Sequence, residues 1–200
     1  MTNLFDSQDE HTNHRFQKLV HENTMIVNKE FYNCTFKGCS FRETTFRSCT
    51  FQDCTFQDCD LSLIKVNDSS FKTTKFENSQ VVGVNWTLAS WSKFSISAPV
   101  NFLNCAINYS TFIGLKLKEV QITKCVAKDV DFSETDLTKA DCSHTDFSNS
   151  RFSHTNLTKA NFEGAIHYTI DVTSNTLKKT KFSLPEAMSL LYSLDIILVE

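Results

Sequence analysis

An apolar residue recurs at every fifth position along most of this chain. Counting by fives from Ile26 to Ile96 meets an apolar residue at all fifteen positions. The count slips by one residue near 97–101, resumes at Phe102 and runs to Phe182, and His167 is the one polar residue among these seventeen positions. Only 40% of the chain is hydrophobic, so the fold itself must have a period of five residues.

Neither regular secondary structure gathers such residues into one core. On an α-helix of about 3.6 residues per turn, a five-residue step moves roughly 140° past a full turn, so the side chains would spread over all faces. On a flat strand, an odd step sends successive side chains to opposite faces. The apolar residues share one interior only if the chain turns a corner at every fifth residue. Four corners close a square coil, and stacked coils pair their backbones at about 4.8 Å.

The residue two positions before each apolar centre should also point inward, because side chains alternate along an extended segment. This position mostly holds Cys, Ser, Thr or Ala, and it contains seven of the eight cysteines, whereas Cys142 is itself a centre. Free cysteine packs as a small hydrophobic residue. The sequence therefore predicts that the cysteines fill the core.

Other roles for the cysteines fit this geometry less well. A zinc site needs about four ligands that converge on one point, whereas a five-residue step places neighbouring cysteines on adjacent walls. A weak metal site formed by His11, His14 and His21 in the N-terminal segment stays open. Three cysteine pairs lie one above the other, within disulfide reach, although parallel side chains and a reducing compartment argue against bridges: Cys34 and Cys54, Cys39 and Cys59, and Cys105 and Cys125.

The pattern resembles the pentapeptide-repeat proteins, whose consensus is A(D/N)LXX. Clear instances are "ADCSH", "TNLTK", "ANFEG", "TDFSN" and "TDLTK". The resemblance implies an all-β fold, a right-handed quadrilateral β-helix, over residues 26–182 with a one-residue interruption near 97–101. Residues 1–25 are expected to form an N-terminal cap that is partly irregular, and residues 183–200 a C-terminal unit for capping and dimerisation. The one-residue slip also predicts that no long loop protrudes from the rod.

The tail should close the open end of the coil. Ser183 followed by Glu186 fits a capping box, and Pro185 suits a first helical turn, so a short helix is expected over about 184–193. The sequence "DIILVE" after it predicts a terminal strand. The apolar surface that remains exceeds what capping needs, and we expect it to bury against a second copy in a two-fold dimer. The candidate interface residues are Leu184, Met188, Leu191, Leu194, Ile196 and Leu198.

The sequence favours no enzyme. No nucleophile, base and orienting acid recur at a plausible spacing, no phosphate-binding glycine loop is present, and a filled coil offers no pocket. We expect no cofactor and no structural metal. No run of 18 apolar residues predicts a membrane span, and the N-terminus has no secretory signal, so the expected location is the cytoplasm. A net charge of −3 provides no basic footprint for direct nucleic-acid binding.

The segments "GVNWTLASW" and "HYTIDVTSNTLKKTKFSLPEA" are similar to the topoisomerase-protecting branch of the family: the Qnr, MfpA and especially AlbG types. That resemblance implies a dimeric rod that mimics duplex DNA and binds DNA gyrase, with topoisomerase IV as a further target. It would protect the enzyme from a poison such as a quinolone or albicidin. Outward acidic residues that cluster in one coil are the candidates to face gyrase: Asp131, Asp136, Asp141 and Asp146. The alternative is a scaffold or effector that binds an unrelated protein.

Overall fold

The computed structural model describes residues 9–91, 100–194 and 196–197. In these residues the chain forms a right-handed quadrilateral β-helix of about eight turns, followed by one short helix at the C-terminal end. A 3₁₀ turn covers Trp86–Leu88, and the terminal 3₁₀ helix covers Glu186–Leu194. The strands are β1 Glu10–Thr12, β2 Arg15–Gln17, β3 Met25–Val27, β4 Glu30–Tyr32, β5 Thr35–Lys37, β6 Thr45–Arg47, β7 Thr50–Gln52, β8 Thr55–Gln57, β9 Ser70–Lys72, β10 Thr74–Glu77, β11 Val100–Leu103, β12 Ile122–Thr123, β13 Arg151–Phe152, β14 Asn161–Phe162, β15 Thr169–Ile170 and β16 Lys181–Phe182.

The paired strands are parallel, and most are separated by one coil of twenty residues. In the longest sheet, β2, β5, β8, β10, β11 and β12 stack in that order, and Phe16 pairs with Phe36, which pairs in turn with Phe56. Most strands have three residues, with the central side chain buried and at least one neighbour facing outward. Threonine and phenylalanine suit such a half-buried extended segment. The expected five-residue fold is therefore confirmed.

The corners have a uniform backbone conformation. The residue two positions after a centre has a positive φ almost throughout the coil, as at Asn33 (51°), Asp53 (54°) and Gly114 (70°). Glycine, asparagine and aspartate tolerate this left-handed region best, but lysine, glutamate and histidine also occupy it here, for example at Lys139 (59°). The five-residue period arises because this left-handed residue redirects the chain once in each repeat.

Aromatic stacks fill the shaft. The rings of Phe36 and Phe56, one coil apart, lie 4.6 Å apart and nearly parallel. Rings on adjacent walls meet edge to face, as Phe31 and Phe36 do at 5.3 Å and 74°. Both arrangements are favourable for aromatic pairs. Each buried phenylalanine stabilises the fold by about 1.5–3 kcal/mol through removal of apolar surface from water.

The small inward residues also form a hydrogen-bond ladder between coils. The thiol of Cys59 donates to the carbonyl oxygen of Phe36 (3.3 Å), and the backbone N–H of Cys59 donates to the hydroxyl of Ser79 one coil later (3.0 Å). All eight cysteines are buried and free. Burial raises the pKa of the Cys54 thiol to about 12 and that of Cys105 to about 11. The thiols of Cys54 and Cys105 therefore stay protonated and pack in the core as neutral groups.

The regular coil begins earlier than the sequence count at Ile26. β1 and β2 lie within the segment expected to be a partly irregular cap, and they pair with β4 and β5 at the regular offset. His11 occupies a buried central position and stacks on Phe31 at 5.2 Å. Polar histidine at positions 11 and 21 concealed these repeats from a count of apolar residues.

The interruption is longer than the sequence count indicated. Thr74 pairs with Val100 and Phe76 with Phe102, so this coil contains 26 residues, six more than its neighbours. Counting by fives cannot distinguish an insertion of one residue from one of six. The extra residues fall between Trp91 and Phe102, mostly at positions 92–99, which are outside the described residues. The one-residue slip is therefore corrected, and the expectation of no long loop loses its basis.

The last coil is irregular, and the terminal helix covers it. Arg151 pairs with Thr169 at an offset of eighteen residues, so Tyr168 is buried in place of His167. The hydroxyl of Ser183 accepts a hydrogen bond from the N–H of Gly164 (3.0 Å), and the carboxylate of Glu186 accepts one from the N–H of His167. The two side chains expected to form a capping box thus bond to the backbone of the last coil instead.

The rest of the tail only partly meets the expectations. The helix was expected over 184–193 and lies at Glu186–Leu194 as a 3₁₀ helix. Ile196 and Ile197 form no strand. The remaining residues of the expected terminal strand, 195 and 198–200, lie outside the described residues.

Candidate interaction surfaces

The exposed side chains lie on four walls, each built from every fourth repeat. Outward positions are the residue before each centre and the two after it. Wall A has centres from Phe16 to Phe182, wall B from His21 to Tyr168, wall C from Ile26 to Ile170 and wall D from His11 to Leu177. Because the coil is square, wall B lies opposite wall D. An extended partner that contacts one side of the rod would therefore contact the outward residues of one wall.

The four aspartates expected to face gyrase lie on four different walls. Asp131 is on wall C, Asp136 on wall D, Asp141 on wall A and Asp146 on wall B. In each, Oδ1 accepts a hydrogen bond from the backbone N–H two residues later, at 2.9 to 3.1 Å. This Asx turn holds the start of the next corner. The four carboxylates therefore encircle the rod, and each stabilises a corner of the coil.

Cations neutralise three of these aspartates. Asp131 pairs with Arg151 at 2.9 Å. The other two ion pairs join Asp136 to Lys118 at 3.5 Å and Asp146 to Lys128 at 3.2 Å. Partial burial would raise the pKa of Asp146, but hydrogen bonds from Ser148 and His167 and the nearby lysine outweigh burial and hold it well below its usual value. The negative charge of Asp131, Asp136 and Asp146 is thus largely compensated within the rod.

Wall B carries more carboxylates than cations once the register is known, and they lie towards its two ends. Its outward positions carry five carboxylates and two cations. The carboxylates are Glu22, Glu43, Asp60, Asp129 and Asp146, and the cations are Arg42 and Lys128. Exposed apolar side chains lie among them: Val20, Leu63, Tyr109, Val126 and Ile166. An acidic wall that also exposes tyrosine and aliphatic side chains suits a basic protein surface. The sequence signal was present, but it appears only when residues are sorted by wall.

The C-terminal end exposes apolar side chains, including most of those expected at a dimer interface. Leu184 is 77% exposed, and Met188, Leu194 and Ile196 are also exposed. Leu191 is half-buried, and Leu198 lies outside the described residues. Tyr192 (77%) and Ile197 (90%) belong to the same surface, although the sequence analysis did not select them. Leu190 packs instead against the core.

The histidines give no metal centre in the described part of the chain. The rings of His11 and His14 lie 5.6 Å apart, edge to face, and His21 stacks on Phe41. Among the described residues, no group of three or more His, Cys, Asp or Glu side chains is placed to hold a metal ion. No helix in the same residues is long and apolar enough to span a bilayer.

Comparison with solved structures finds the same rod in other proteins. A trypsin-treated variant of QnrB1, described as a plasmid-mediated fluoroquinolone resistance protein, matches with a TM-score of 0.64 at 19% identity, covering 96% of this chain and 99% of that one. A second trypsin-treated variant of QnrB1 gives 0.60 at 18% identity, covering 92% and 100%. HetL, described as involved in heterocyst differentiation regulation in the cyanobacterium Nostoc sp. strain PCC 7120, gives 0.53 at 14% identity, covering 88% and 90%.

Sequence comparisons identify the family. Comparison with curated proteins gives no significant match. The family model described as "Pentapeptide repeat region" matches residues 29–112. A second model, "Pentapeptide repeats (8 copies)", matches residues 116–153 and 128–164. Together these matches cover more than half of the chain, which therefore belongs to the pentapeptide-repeat family.

Proposed function

We propose that this protein is a non-enzymatic rod that binds DNA gyrase, with topoisomerase IV as a further target, and protects it from a poison such as a quinolone or albicidin. The supporting observation is that its fold matches nearly the whole of a trypsin-treated chain of QnrB1, a fluoroquinolone resistance protein. The resemblance of two sequence segments to the topoisomerase-protecting branch points the same way. Eight buried, free thiols suit a reducing compartment, and we propose the cytoplasm.

Wall B is the gyrase-facing surface in this proposal. Seven steps of about 4.8 Å make it about 34 Å long, so its five carboxylates are spaced at roughly one per 7 Å. Duplex DNA carries about one negative charge per 1.7 Å of axis. Charge density alone is therefore too low for close mimicry, and binding rests on rod shape and on the apolar side chains between the carboxylates. Of the four aspartates first selected, Asp146 lies on this wall. A partner that contacts Asp131, Asp136 and Asp141 as well would have to surround the coil.

The C-terminal end is the proposed homodimer seam. Two rods of about 40 Å joined end to end would approach 80 Å, at about 4.8 Å per coil. We expect Leu191→Glu with Leu194→Glu to give monomers, because two carboxylates would be buried in an apolar contact. Light scattering should then report one chain of 22.9 kDa, whereas the native protein should have twice that mass. Ile113→Glu, on exposed wall C, is the matched control and should remain dimeric. An unchanged mass for the tail variant would disprove the seam.

Supercoiling by purified gyrase in the presence of a quinolone or albicidin tests the proposed function. Adding the native protein should restore supercoiling. A triple variant of wall B, Glu22→Lys, Glu43→Lys and Asp129→Lys, should lose this protection. A triple variant with the same charge change on walls C and D, Asp53→Lys, Asp68→Lys and Glu134→Lys, should keep it. If the native protein leaves drug inhibition unchanged over a wide concentration range, gyrase protection is wrong.

A scaffold for an unrelated protein partner is the second candidate. The match to HetL, described as acting in heterocyst differentiation regulation, shows that the same rod occurs in a protein of different biological role. A fold can serve several functions. Failure of gyrase protection together with an intact dimer would favour this candidate.

A further inference from the structure

Wall D changes character in its C-terminal half, where lysine dominates. Residues 116–119, 136–139, 156–159 and 176–179 contain six lysines and two acidic residues. The lysines are Lys116, Lys118, Lys139, Lys159, Lys178 and Lys179, and all are exposed. The repeats stack directly, since the N–H of Lys139 donates to the carbonyl of Thr158 (2.8 Å) and that of Lys159 to Lys178 (2.9 Å). Their charges therefore lie on one continuous face, named here the lysine face.

Internal ion pairs compensate only two of these charges. Lys118 pairs with Asp136 at 3.5 Å, and Lys139 pairs with Glu119 at 2.7 Å. Within the described ranges, the other four have no acidic partner within 4.0 Å: Lys116, Lys159, Lys178 and Lys179. Like charges stacked one coil apart, at about 4.8 Å, repel each other. A net charge of −3 for the whole chain conceals this concentration of positive charge.

The remaining side chains of the lysine face indicate the kind of anion. Thr138, Thr158 and Thr176, with Asn156, occupy the outward positions between the lysines. Lysine, threonine and asparagine are side chains that contact nucleic-acid phosphates. The outward positions of these segments contain no tyrosine, tryptophan, arginine or large apolar residue, the types that usually anchor a protein partner. With no aromatic residue to stack on bases, single strands are disfavoured as well.

We propose that the lysine face binds the phosphate backbone of duplex nucleic acid. Its four uncompensated lysines would neutralise about four phosphates, and the hydroxyls of Thr158 and Thr176 and the asparagine amide would donate further hydrogen bonds. Binding is independent of base sequence, since the flat wall presents nothing that enters a groove. This proposal differs from the expectation, drawn from net charge, of no direct nucleic-acid contact. It goes beyond the proposed function and does not depend on gyrase, because wall B on the opposite side stays free.

Salt dependence of binding tests the proposal on the full chain without gyrase. Fluorescence anisotropy of a labelled short DNA duplex should give a plot of log K against log salt with a slope of about −3.6, for about four phosphates at −0.9 each. The triple variant Lys159→Gln, Lys178→Gln and Lys179→Gln should bind weakly, with a slope of about −0.9. The control triple, Lys18→Gln, Lys75→Gln and Lys124→Gln, removes the same charge from exposed positions of wall A and should retain the native slope.

Three outcomes would overturn the proposal. The first is no measurable duplex binding by the native protein at low salt. The second is an equal loss of affinity in both triple variants, because that would reflect net charge and not the lysine face. The third is tighter binding of polyglutamate or single-stranded DNA than of the duplex, which would indicate a different class of partner. Gyrase protection by the lysine-face variant is expected to persist, so the two proposals can fail separately.

Discussion

Replacing Thr145 by valine tests whether the inward small residues stabilise the coil by hydrogen bonding as well as by packing. Thr145 is fully buried on wall B. Its hydroxyl donates to the carbonyl of Ile122 (2.6 Å) and accepts from the N–H of Cys125 (3.1 Å). It therefore links its own coil to the preceding coil at two points. Valine keeps the β-branched shape but has no group that can accept or donate. The change therefore removes hydrogen bonds with little change in volume.

The expected loss follows from the two groups that the hydroxyl serves. One net hydrogen bond contributes about 1 kcal/mol, and a buried N–H left without a partner costs about 1–3 kcal/mol. We expect Thr145→Val to lower the free energy of unfolding by about 2–4 kcal/mol. For a chain of this size, each kcal/mol lowers the melting temperature by about 2–4 °C. A pure packing role would instead predict almost no change.

Urea unfolding followed by circular dichroism measures this difference. Thr145→Ser keeps the hydroxyl and should recover most of the stability, apart from one lost methyl group. Thr123→Val, at an outward position of wall A, is the matched control and should stay within about 0.5 kcal/mol of the native protein. If Thr145→Val is as stable as Thr123→Val, the inter-coil ladder contributes nothing and the cysteines, serines and threonines are only filler.

Three further substitutions probe the corners and the charge network. Gly114→Ala should cost about 1–2 kcal/mol for its left-handed backbone (φ 70°). Gly164→Ala should cost slightly more in the same melting assay, because its added Cβ would require the exposed imidazole ring of His144 to move, and a loss no larger than that of Gly114→Ala would refute this steric argument. Asp146→Asn should destabilise the protein at pH 7 by about 1 kcal/mol, discounted for partial solvent screening, relative to the exposed control Asp129→Asn. Since the pKa of Asp146 is lowered in the folded protein, its contribution is complete above the unfolded value near 3.9 and is lost progressively as pH falls from there towards the lowered folded value. A difference between the two variants that is as large at pH 2 as at pH 7 would contradict this linkage.

Much of the core could be predicted from the sequence because a five-residue period allows few backbone paths. The centres from Phe31 to Trp86 are buried as the count required, and the free, buried cysteines lie at the predicted inward positions. The count of apolar residues failed to find the centres where a polar residue is buried or where the five-residue spacing changes. His11 was missed at the start of the coil, and Tyr168 replaced His167 at its end. The insertion after Trp91 was underestimated because a count by fives registers only the remainder after multiples of five, so six extra residues appear as one.

The interaction surfaces could be predicted less well. The many apolar residues of the tail predicted an exposed apolar surface there, and Leu184, Met188 and Leu194 are exposed. The aspartates chosen for being acidic and clustered proved to be spread around the coil, because neighbours in sequence lie on successive walls. Their Asx turns and ion pairs depend on atomic positions that no sequence count provides.

By itself, the sequence determined that the chain must coil, because no helix or flat sheet can bury an apolar residue at every fifth position. It also determined that small side chains lie beside the large centres, since a narrow shaft has no room for others. Only the tertiary structure decided which exposed residues share a surface. Parallel pairing at offsets of 18, 20 and 26 residues sorts the charges by wall. A chain with a net charge of −3 thereby acquires an acidic wall and, opposite its C-terminal half, a face of lysines.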